Sequence, residues 1–239
     1  MNPISYTTTY NAMKREMSRL EIITENLANN TTPGFRRAYP VGESFDKLLQ
    51  QAGRNNDAAA VDFSTGALRE TGNPFDFAIN GEGFFTVGKE NREFYTRNGH
   101  FTLGPDGSLM TDSGLNVLDA NSRPMKIPND LNTANLSIDS KGNLKVGENI
   151  VGQLKLVAFQ DPKALNRVGT ALFEKPADTK MEPAKIDDFK VMNRSLEGSN
   201  TVVFEEMANM ITCMRNYETC SKILKAQDGK DGQIIQQLS

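Results

Sequence analysis

The sequence predicts an α+β fold, with long N- and C-terminal helices forming a coiled-coil-like stalk and a central antiparallel β domain. Near both ends, apolar residues recur at alternating steps of three and four, which is the spacing of a helical heptad seam. Between the ends the apolar period changes to two, with frequent turn residues, as in short antiparallel strands. The chain is therefore predicted to comprise an N-terminal helix (1–31), a connecting segment with a short helix (32–70), the β domain (71–192) and a C-terminal helix (193–239).

The first helix is predicted over residues 4–28 and carries one apolar stripe. Glu21 and Glu25 lie one turn apart near the negative end of the helix dipole, and each effect costs roughly a few tenths of a kcal/mol. A helix of this length is marginal in water without a packed apolar face. We therefore expect the stripe to pack against the C-terminal helix, against other subunits, or against both. Its members are Tyr6, Tyr10, Met13, Met17, Leu20, Thr24 and Leu27.

A helix-terminating motif follows in the sequence NLANNTTPGFRR, residues 26–37. Asn29 tolerates the left-handed conformation that closes a helix, Pro33 cannot continue one, and Gly34 permits a positive φ. Phe35 then gives the emerging chain an apolar anchor. The sequence thus predicts an elbow, here called the elbow motif, which consists of Asn29, Thr32, Pro33, Gly34 and Phe35.

The connecting segment is mixed in character. Residues 44–52 predict a short amphipathic helix, and residues 54–60 indicate a flexible connection. The apolar side of that short helix consists of Phe45, Leu48, Leu49 and Ala52.

The β domain is predicted from short apolar runs separated by turn signals. Phe75–Ile79 and Phe84–Val87 are expected to be strands joined at Asn80–Gly83. Residues 152–159, GQLKLVAF, form the strongest single strand pattern. Strands do not alternate with helices along this region, so the pattern favours an antiparallel arrangement.

The C-terminal helix is predicted from a second stripe over residues 203–224. Ser199 and Asn200 are good N-cap residues for it. Cys213 and Cys220 lie ~10 Å apart along it, too far for a disulfide within one intact helix. They are interpreted as small semi-buried side chains, with an intersubunit contact as the alternative. The stripe consists of Val203, Met207, Met210, Met214, Tyr217, Ser221 and Leu224.

Composition argues against several classes of partner. A net charge of −3 and a pI near 5.4 give no electrostatic reason to bind nucleic acid or anionic lipid. No apolar run approaches the ~18 residues that a membrane-spanning helix needs, so stable membrane insertion is not expected. Charged residues interrupt the first thirty positions, so we expect any export to proceed without a cleaved signal peptide.

The residue pattern does not favour a catalyst, a cofactor or a metal site. His100 is the only histidine and is interpreted as structural. Motifs for zinc proteases, serine hydrolases and phosphate-binding loops are absent from the sequence. Residues 81–83, Gly-Glu-Gly, precede a predicted strand and indicate a hairpin, not a dinucleotide loop. Asp106, Asp112 and Asp139 each lie beside a glycine or serine and are interpreted as turn formers in preference to calcium ligands.

Four stretches resemble the bacterial flagellar rod and hook axial proteins. They are residues 26–37 (NLANNTTPGFRR), 71–87 (TGNPFDFAINGEGFFTV), 95–118 (YTRNGHFTLGPDGSLMTDSGLNVL) and 195–228, which begins SLEGSNTVVFEEMANM. The resemblance follows the expected order over nearly the whole chain. The modest length and short connecting segment favour the proximal-rod type of that family over the distal-rod type. Glycines in DGKDGQ, residues 228–233, are expected to break or loosen the last helix near Gly229, which favours the same type.

The resemblance implies a structural role. Such proteins are exported unfolded through the flagellar type III export apparatus and assemble in the periplasm into a helical tube, the drive shaft that carries torque from motor to hook. It implies that the terminal helices pack as the inner layer, against copies of the chain and neighbouring rod proteins. The two stripes would then carry assembly, and the elbow motif would set the angle between helix and β domain.

Two alternatives to a proximal-rod subunit remain at this stage. A distal-rod or hook protein of the same family would differ only in its position along the axis. A secreted binding module, oligomerised by its helices, would need an exposed aromatic or charged cluster on the β domain. An enzyme would need catalytic groups that the sequence does not supply.

Overall fold

A computed structural model describes residues 3–41, 59–89, 92–128, 136–139, 142–176 and 190–238. The chain forms two compact units, which are described separately below. We call the first the helical unit and the second the β unit. The helical unit comprises Met1–Ala28, Ala38–Asp62 and Thr201–Ser239, and the β unit comprises Asn29–Arg37 and Phe63–Asn200.

Two helices and a two-stranded antiparallel sheet make up the described part of the helical unit. Helix α1 spans Pro3–Ala28 and helix α2 spans Val203–Leu238. Strands β1 (Ala38–Pro40) and β2 (Ala59–Val61) pair antiparallel, in a region where the sequence predicted only a connection. The short helix expected at 44–52 lies outside the described residues.

The predicted coiled-coil-like stalk is wrong. Helices α1 and α2 run antiparallel, because Glu16 contacts Cys213 and Asn26 contacts Glu206. This contact includes a buried amide, a carboxylate and a thiol, whereas a coiled coil buries one continuous apolar seam on both helices. Six of the twelve apolar residues assigned to the predicted seam are exposed instead: Tyr6, Tyr10, Met17, Met207, Met214 and Tyr217. The antiparallel β part of the predicted fold class does fit the structure.

The expected break in the C-terminal helix is also wrong. Helix α2 continues through Gly229 to Leu238. A glycine in a helix interior costs about 1 kcal/mol relative to alanine but keeps its backbone N–H, so it weakens a helix without ending it. The DGKDGQ sequence therefore no longer favours the proximal-rod type.

The β unit contains fifteen short strands among its described residues, and all their pairings are antiparallel. A 3₁₀ turn, Pro162–Ala164, lies between β13 and β14. The strands are β3 (Leu68–Glu70), β4 (Phe77–Asn80), β5 (Phe84–Lys89), β6 (Arg92–Thr96), β7 (Phe101–Leu103), β8 (Leu109–Thr111), β9 (Asn116–Val117), β10 (Leu136–Ile138), β11 (Asn143–Val146), β12 (Asn149–Gln153), β13 (Leu156–Val157), β14 (Asn166–Arg167), β15 (Leu172–Glu174), β16 (Lys190–Asn193) and β17 (Ser195–Glu197).

The largest sheet has strand order β14-β15-β6-β5-β9-β8-β7, with β13 also pairing to β5. Strands β10 to β12 form a second sheet, and β16-β4 and β17-β3 form two-stranded ladders. The core holds fully buried aromatic residues, in which the rings of Phe85 and Phe101 meet edge to face at 5.3 Å between centroids. The strands predicted at Phe75–Ile79 and Phe84–Val87 correspond to β4 and β5, with shifted ends.

The strand pattern at 152–159 is divided in the structure. Its first residues end β12 at Gln153, and Leu156–Val157 form β13 on a different sheet. Leu154 makes an isolated bridge to Asp119 between the two. The predicted alternation does not hold through this change of sheet: Leu154 and Phe159 are buried, but Leu156 is half-buried and its neighbour Val157 is buried instead.

Candidate assembly surface

One face of α2 is turned toward α1, and we call it the inward face. Its buried or half-buried residues follow one another mostly at steps of three and four, as a helix face requires. They are Val203, Glu206, Met210, Cys213, Cys220, Ser221 and Leu224.

Hydrogen bonds between polar groups join α1 and α2 at the inward face. The Cys213 thiol donates to the carbonyl oxygen of Glu16 at 2.9 Å. The buried side chain of Asn26 donates to Glu206 Oε1 at 3.1 Å and to the carbonyl of Ala38 at 2.7 Å, and its Oδ1 accepts from the Ala38 N–H at 2.9 Å. Burial raises the pKa of Cys213 to about 11, so this thiol stays protonated and is poorly suited to nucleophilic chemistry.

A second face of α2 carries large apolar side chains that are exposed among the described residues of the helical unit. We call it the outward face, and it consists of Phe204, Met207, Ile211 and Met214. Phe204 is 85% exposed, and the other three are each about half exposed. These residues are offset from the inward face by about one residue, or roughly 100° around the helix. They again follow steps of three and four, so α2 presents two adjacent stripes.

Helix α1 also exposes apolar side chains. Tyr6, Tyr10 and Met17 are each about half exposed, and their spacing of four and seven puts them on one face. Soluble monomers rarely expose contiguous apolar patches of large side chains without a partner that covers them. The exposed faces of α1 and α2 together therefore form the candidate assembly surface.

The predicted stripes are divided between burial and exposure. Of the residues assigned to them, Tyr6, Tyr10, Met17, Met207, Met214 and Tyr217 are exposed, whereas Met13, Leu20, Leu27, Val203, Met210 and Leu224 are half-buried. Sequence reasoning missed Phe204 and Ile211. The signal was present, because 204, 207, 211 and 214 make a second heptad series that shares two members with the predicted one.

The elbow motif belongs to the β unit. The Gly34 N–H donates to the carbonyl of Glu197 at 2.8 Å, with φ at +67°. A Cβ at Gly34 would lie 2.2 Å from the backbone nitrogen of Asn98, so only glycine fits. Phe35 is fully buried beneath the Arg167 guanidinium, which lies 4.9 Å from the ring centroid.

The first half of the elbow motif is a compact turn. The Thr32 N–H donates to the carbonyl of Asn29 at 3.2 Å, and the Thr32 hydroxyl donates to Asn29 Oδ1 at the same distance. Pro33 follows and is half-buried. The predicted stop and apolar anchor are therefore both present in the structure.

His100 forms part of a structural hydrogen-bond cluster. Its Nδ1 lies 2.6 Å from Oδ1 of the buried Asp76. That carboxylate also accepts from the hydroxyl of Thr71 at 2.6 Å and from the side-chain amide of Asn73 at 2.9 Å. These contacts tie the loop before β4 to His100.

Chemistry-bearing clusters are otherwise scarce in the part of the chain that the structure describes. There, no three His, Cys, Asp or Glu side chains come together in a way that could hold a metal ion. Within the same residues, no helix combines the length and apolar composition needed to cross a bilayer.

Comparison with known proteins shows what the chain is similar to. The family described as "Flagellar hook protein FlgE/F/G D1 domain" matches residues 78–146, and "Flagellar basal body rod FlgEFG protein C-terminal" matches residues 192–237. The rod protein FlgF of Caulobacter vibrioides is 30% identical, covering 90% of this chain and 91% of its own. FlgF of Salmonella typhimurium is 30% identical over 97% of both chains. The rod protein FlgG of Bacillus subtilis is 27% identical over 95% of this chain and 94% of its own.

Proposed function

We propose that this chain, which belongs to the flagellar basal-body rod protein family and is a structural subunit of that rod, is built into it through the candidate assembly surface. The observation that carries the proposal is the exposed outward face of α2. Fully burying a side chain the size of Phe, Met or Ile contributes roughly 1.5–3 kcal/mol. Phe204 is almost wholly exposed and Met207, Ile211 and Met214 are about half exposed, so a neighbour that covers this face adds most of one such contribution and about half of three others.

The partners we propose are copies of this chain and neighbouring rod proteins. Each subunit would use the inward face of α2 to hold its own α1, and the outward face to meet an adjacent helix. Apolar contacts repeated between many subunits would make a stiff helical drive shaft that transmits torque from motor to hook. This role is mechanical and turns over no substrate.

We further propose that the protein reaches the rod as the family resemblance implies. The chain would pass through the flagellar type III export apparatus, without a cleaved signal peptide, and assemble in the periplasm. The net charge of −3 supports no binding of nucleic acid. The elbow motif would set the angle between the first helix and the β domain, with domain limits near 31, 70 and 192.

Within the rod we propose the proximal position. The support is the FlgF relatives, together with the chain length and the sequences TTPGF at 31–35 and FKVMNRSLEGSN at 189–200. A distal-rod subunit is the second candidate, because FlgG relatives align over a similar share of the chain.

The test is complementation of a strain that lacks the gene, with basal bodies imaged by electron microscopy. The double variant Met207→Asp/Met214→Asp should fail to restore rods, because paired charges cannot be desolvated cheaply in an apolar contact. Its matched control, Met207→Leu/Met214→Leu, keeps the face apolar and should restore both rods and swimming. In the uncomplemented strain, the level at which rod growth stops gives the axial position.

Folding must be separated from assembly in this test. Met207 and Met214 are about half exposed, so the aspartate pair should leave the melting temperature of the purified monomer within a few degrees of wild type. Normal rods built from the aspartate variant would contradict the proposal that the outward face of α2 mediates assembly.

A further inference from the structure

The chain passes between its two units at four points in the sequence. These follow Ala28, Arg37, Asp62 and Asn200. Within the β unit, three segments border these points: 29–37, 63–67 and 195–200. These three segments contact one another inside the β unit.

Glu197 joins the three segments from the side of β17. Its carbonyl accepts from the Gly34 N–H at 2.8 Å. Its Oε1 accepts from Arg36 Nη2 at 2.6 Å and from the Gly66 N–H at 2.8 Å. The side chains of Arg36 and Glu197 are fully buried. One residue therefore holds the first segment and the second segment to the third.

Asn200 repeats this arrangement three residues later. Its Oδ1 accepts from the Arg37 N–H at 2.7 Å. Its Nδ2 donates to both the carbonyl and the hydroxyl of Ser64, each at 3.1 Å, and its own N–H donates to the carbonyl of Phe35 at 3.4 Å. Asn200 thus also forms hydrogen bonds to both the first segment (29–37) and the second segment (63–67).

The backbones of the segments are in direct contact. A Cβ at Gly66 would lie 2.1 Å from the carbonyl oxygen of Gly198, and the Gly198 N–H donates to the carbonyl of Ala67 at 2.8 Å. This approach leaves no room for a side chain between the second and third segments. The second and third segments are therefore joined by direct backbone contact as well as by side chains.

We propose that Glu197, Asn200 and Arg36 form a clasp that makes the three segments open and close as one cooperative element. In a chain joined at four points, a force that enters through one segment is then shared by all three. The mechanical purpose rests on the proposed function in the rod. The cooperative opening of the three segments does not depend on that function and can be measured on the purified protein.

The test is residue-resolved amide hydrogen exchange on the purified full-length protein, comparing wild type with Asn200→Ala. This substitution removes the acceptor of the Arg37 N–H but leaves the Glu197 acceptors of Gly34 and Gly66 in place. The same substitution also removes both donations to Ser64. A clasp predicts faster exchange at all three amides by a similar factor, about fivefold for each hydrogen bond lost. Acceleration confined to Arg37 would overturn it.

Asn193→Ala is the matched control. Asn193 also bridges two strands through its side-chain amide, with Oδ1 accepting from the Ile138 N–H and Nδ2 donating to the Ile138 carbonyl at 2.9 Å. It should accelerate exchange near Ile138 and leave Gly34 and Gly66 unchanged. If Asn193→Ala accelerates those two amides equally, the effect is general loosening and the clasp is refuted.

A second variant keeps the test decisive if Asn200→Ala does not fold. Asn200→Asp retains an acceptor for Arg37 and loses the donors to Ser64. The clasp predicts that Arg37 still exchanges faster, and unchanged protection there contradicts it. Swimming in viscous medium tests the mechanical purpose separately from the cooperativity. Cooperative exchange with unimpaired swimming of the Asn200→Ala strain under load would overturn the mechanical purpose while leaving the rod assignment intact.

Discussion

At the scale of single residues, Glu197 is a charged side chain that the fold buries beside two arginines. Its carboxylate is fully buried between Arg36, at 2.6 Å, and Arg97, whose Nη1 lies 3.6 Å from Oε2. Burial lowers the pKa of Arg97 to about 10, against the opposing effect of Glu197. Removing one partner of such a buried pair typically costs about 3–5 kcal/mol because it leaves an unpaired charge.

Asp106 supplies a residue-scale prediction. Its Oδ1 accepts from the Ser108 hydroxyl at 2.6 Å and from the Ser108 N–H at 3.2 Å. These hydrogen bonds lower its pKa from 3.8 to about 2. Since the folded-state pKa is depressed, the stabilisation is present above pH 4 and is lost as the pH falls through about 2. NMR of the side-chain carboxyl should give a midpoint near 2.

The control for Asp106 is Ser108→Ala, which removes the hydroxyl donor that contributes most to the shift. The midpoint should move back toward the ordinary value for aspartate. An unchanged midpoint in that variant would show that the turn hydrogen bond does not set this titration.

At the scale of secondary-structure elements, the continuity of α2 through Gly229 predicts a stabilising substitution. A Cβ at this position meets no atom within 4 Å. Gly229→Ala should therefore gain about 1 kcal/mol of helix stability, seen as increased ellipticity at 222 nm.

Gly114→Ala is the matched substitution for this prediction. Its Cβ also meets nothing within 4 Å, but its φ is +75°. It should destabilise the protein by about 1–2 kcal/mol, measured by thermal unfolding, because an L residue is strained there. If both alanines shifted stability in the same direction, the backbone explanation would be wrong.

The strands of the β unit show which strand predictions from the sequence agree with the structure. The apolar runs FAIN and FFTVGK correspond to β4 and β5, in which every residue except the last is buried, so both faces of each strand are covered. Residues 152–159 were expected to form one strand and are shared between two sheets. An apolar run indicates that a segment is buried, and it carries no information about which neighbouring strand buries it.

At the scale of the whole molecule, the two units should differ in stability. The β unit holds most of the buried aromatic core, whereas the helical unit exposes the apolar faces of α1 and α2. We expect ellipticity at 222 nm in the dilute monomer to be lost at lower temperature than amide protection in the hairpin of β5 and β6. Helices whose faces lack partners have little packing to stabilise them.

Protein concentration provides the control for this prediction. If assembly covers the exposed faces, raising the concentration should raise the temperature of the helical transition and leave that of the β unit unchanged. A single transition that is independent of concentration, with full helicity in the monomer, would contradict the expectation.

The sequence by itself determined the order of helix, β domain and helix, and the motifs that identified the family. It also predicted that the first helix ends before Pro33 and that Gly34 can adopt a positive φ, because both follow from local backbone chemistry. Such features depend on residues that are neighbours in the chain, so they can be predicted from the chain.

Only the tertiary structure decided which apolar stripe of α2 is covered. The contacts with α1 cover the face through Glu206, Met210 and Cys213, whereas Met207 and Met214 of the predicted series are exposed. The same holds for Glu197 and Asn200, whose partners lie more than a hundred residues away. Burial and long-range pairing are set by the whole fold, and for that reason they could not be predicted from local sequence.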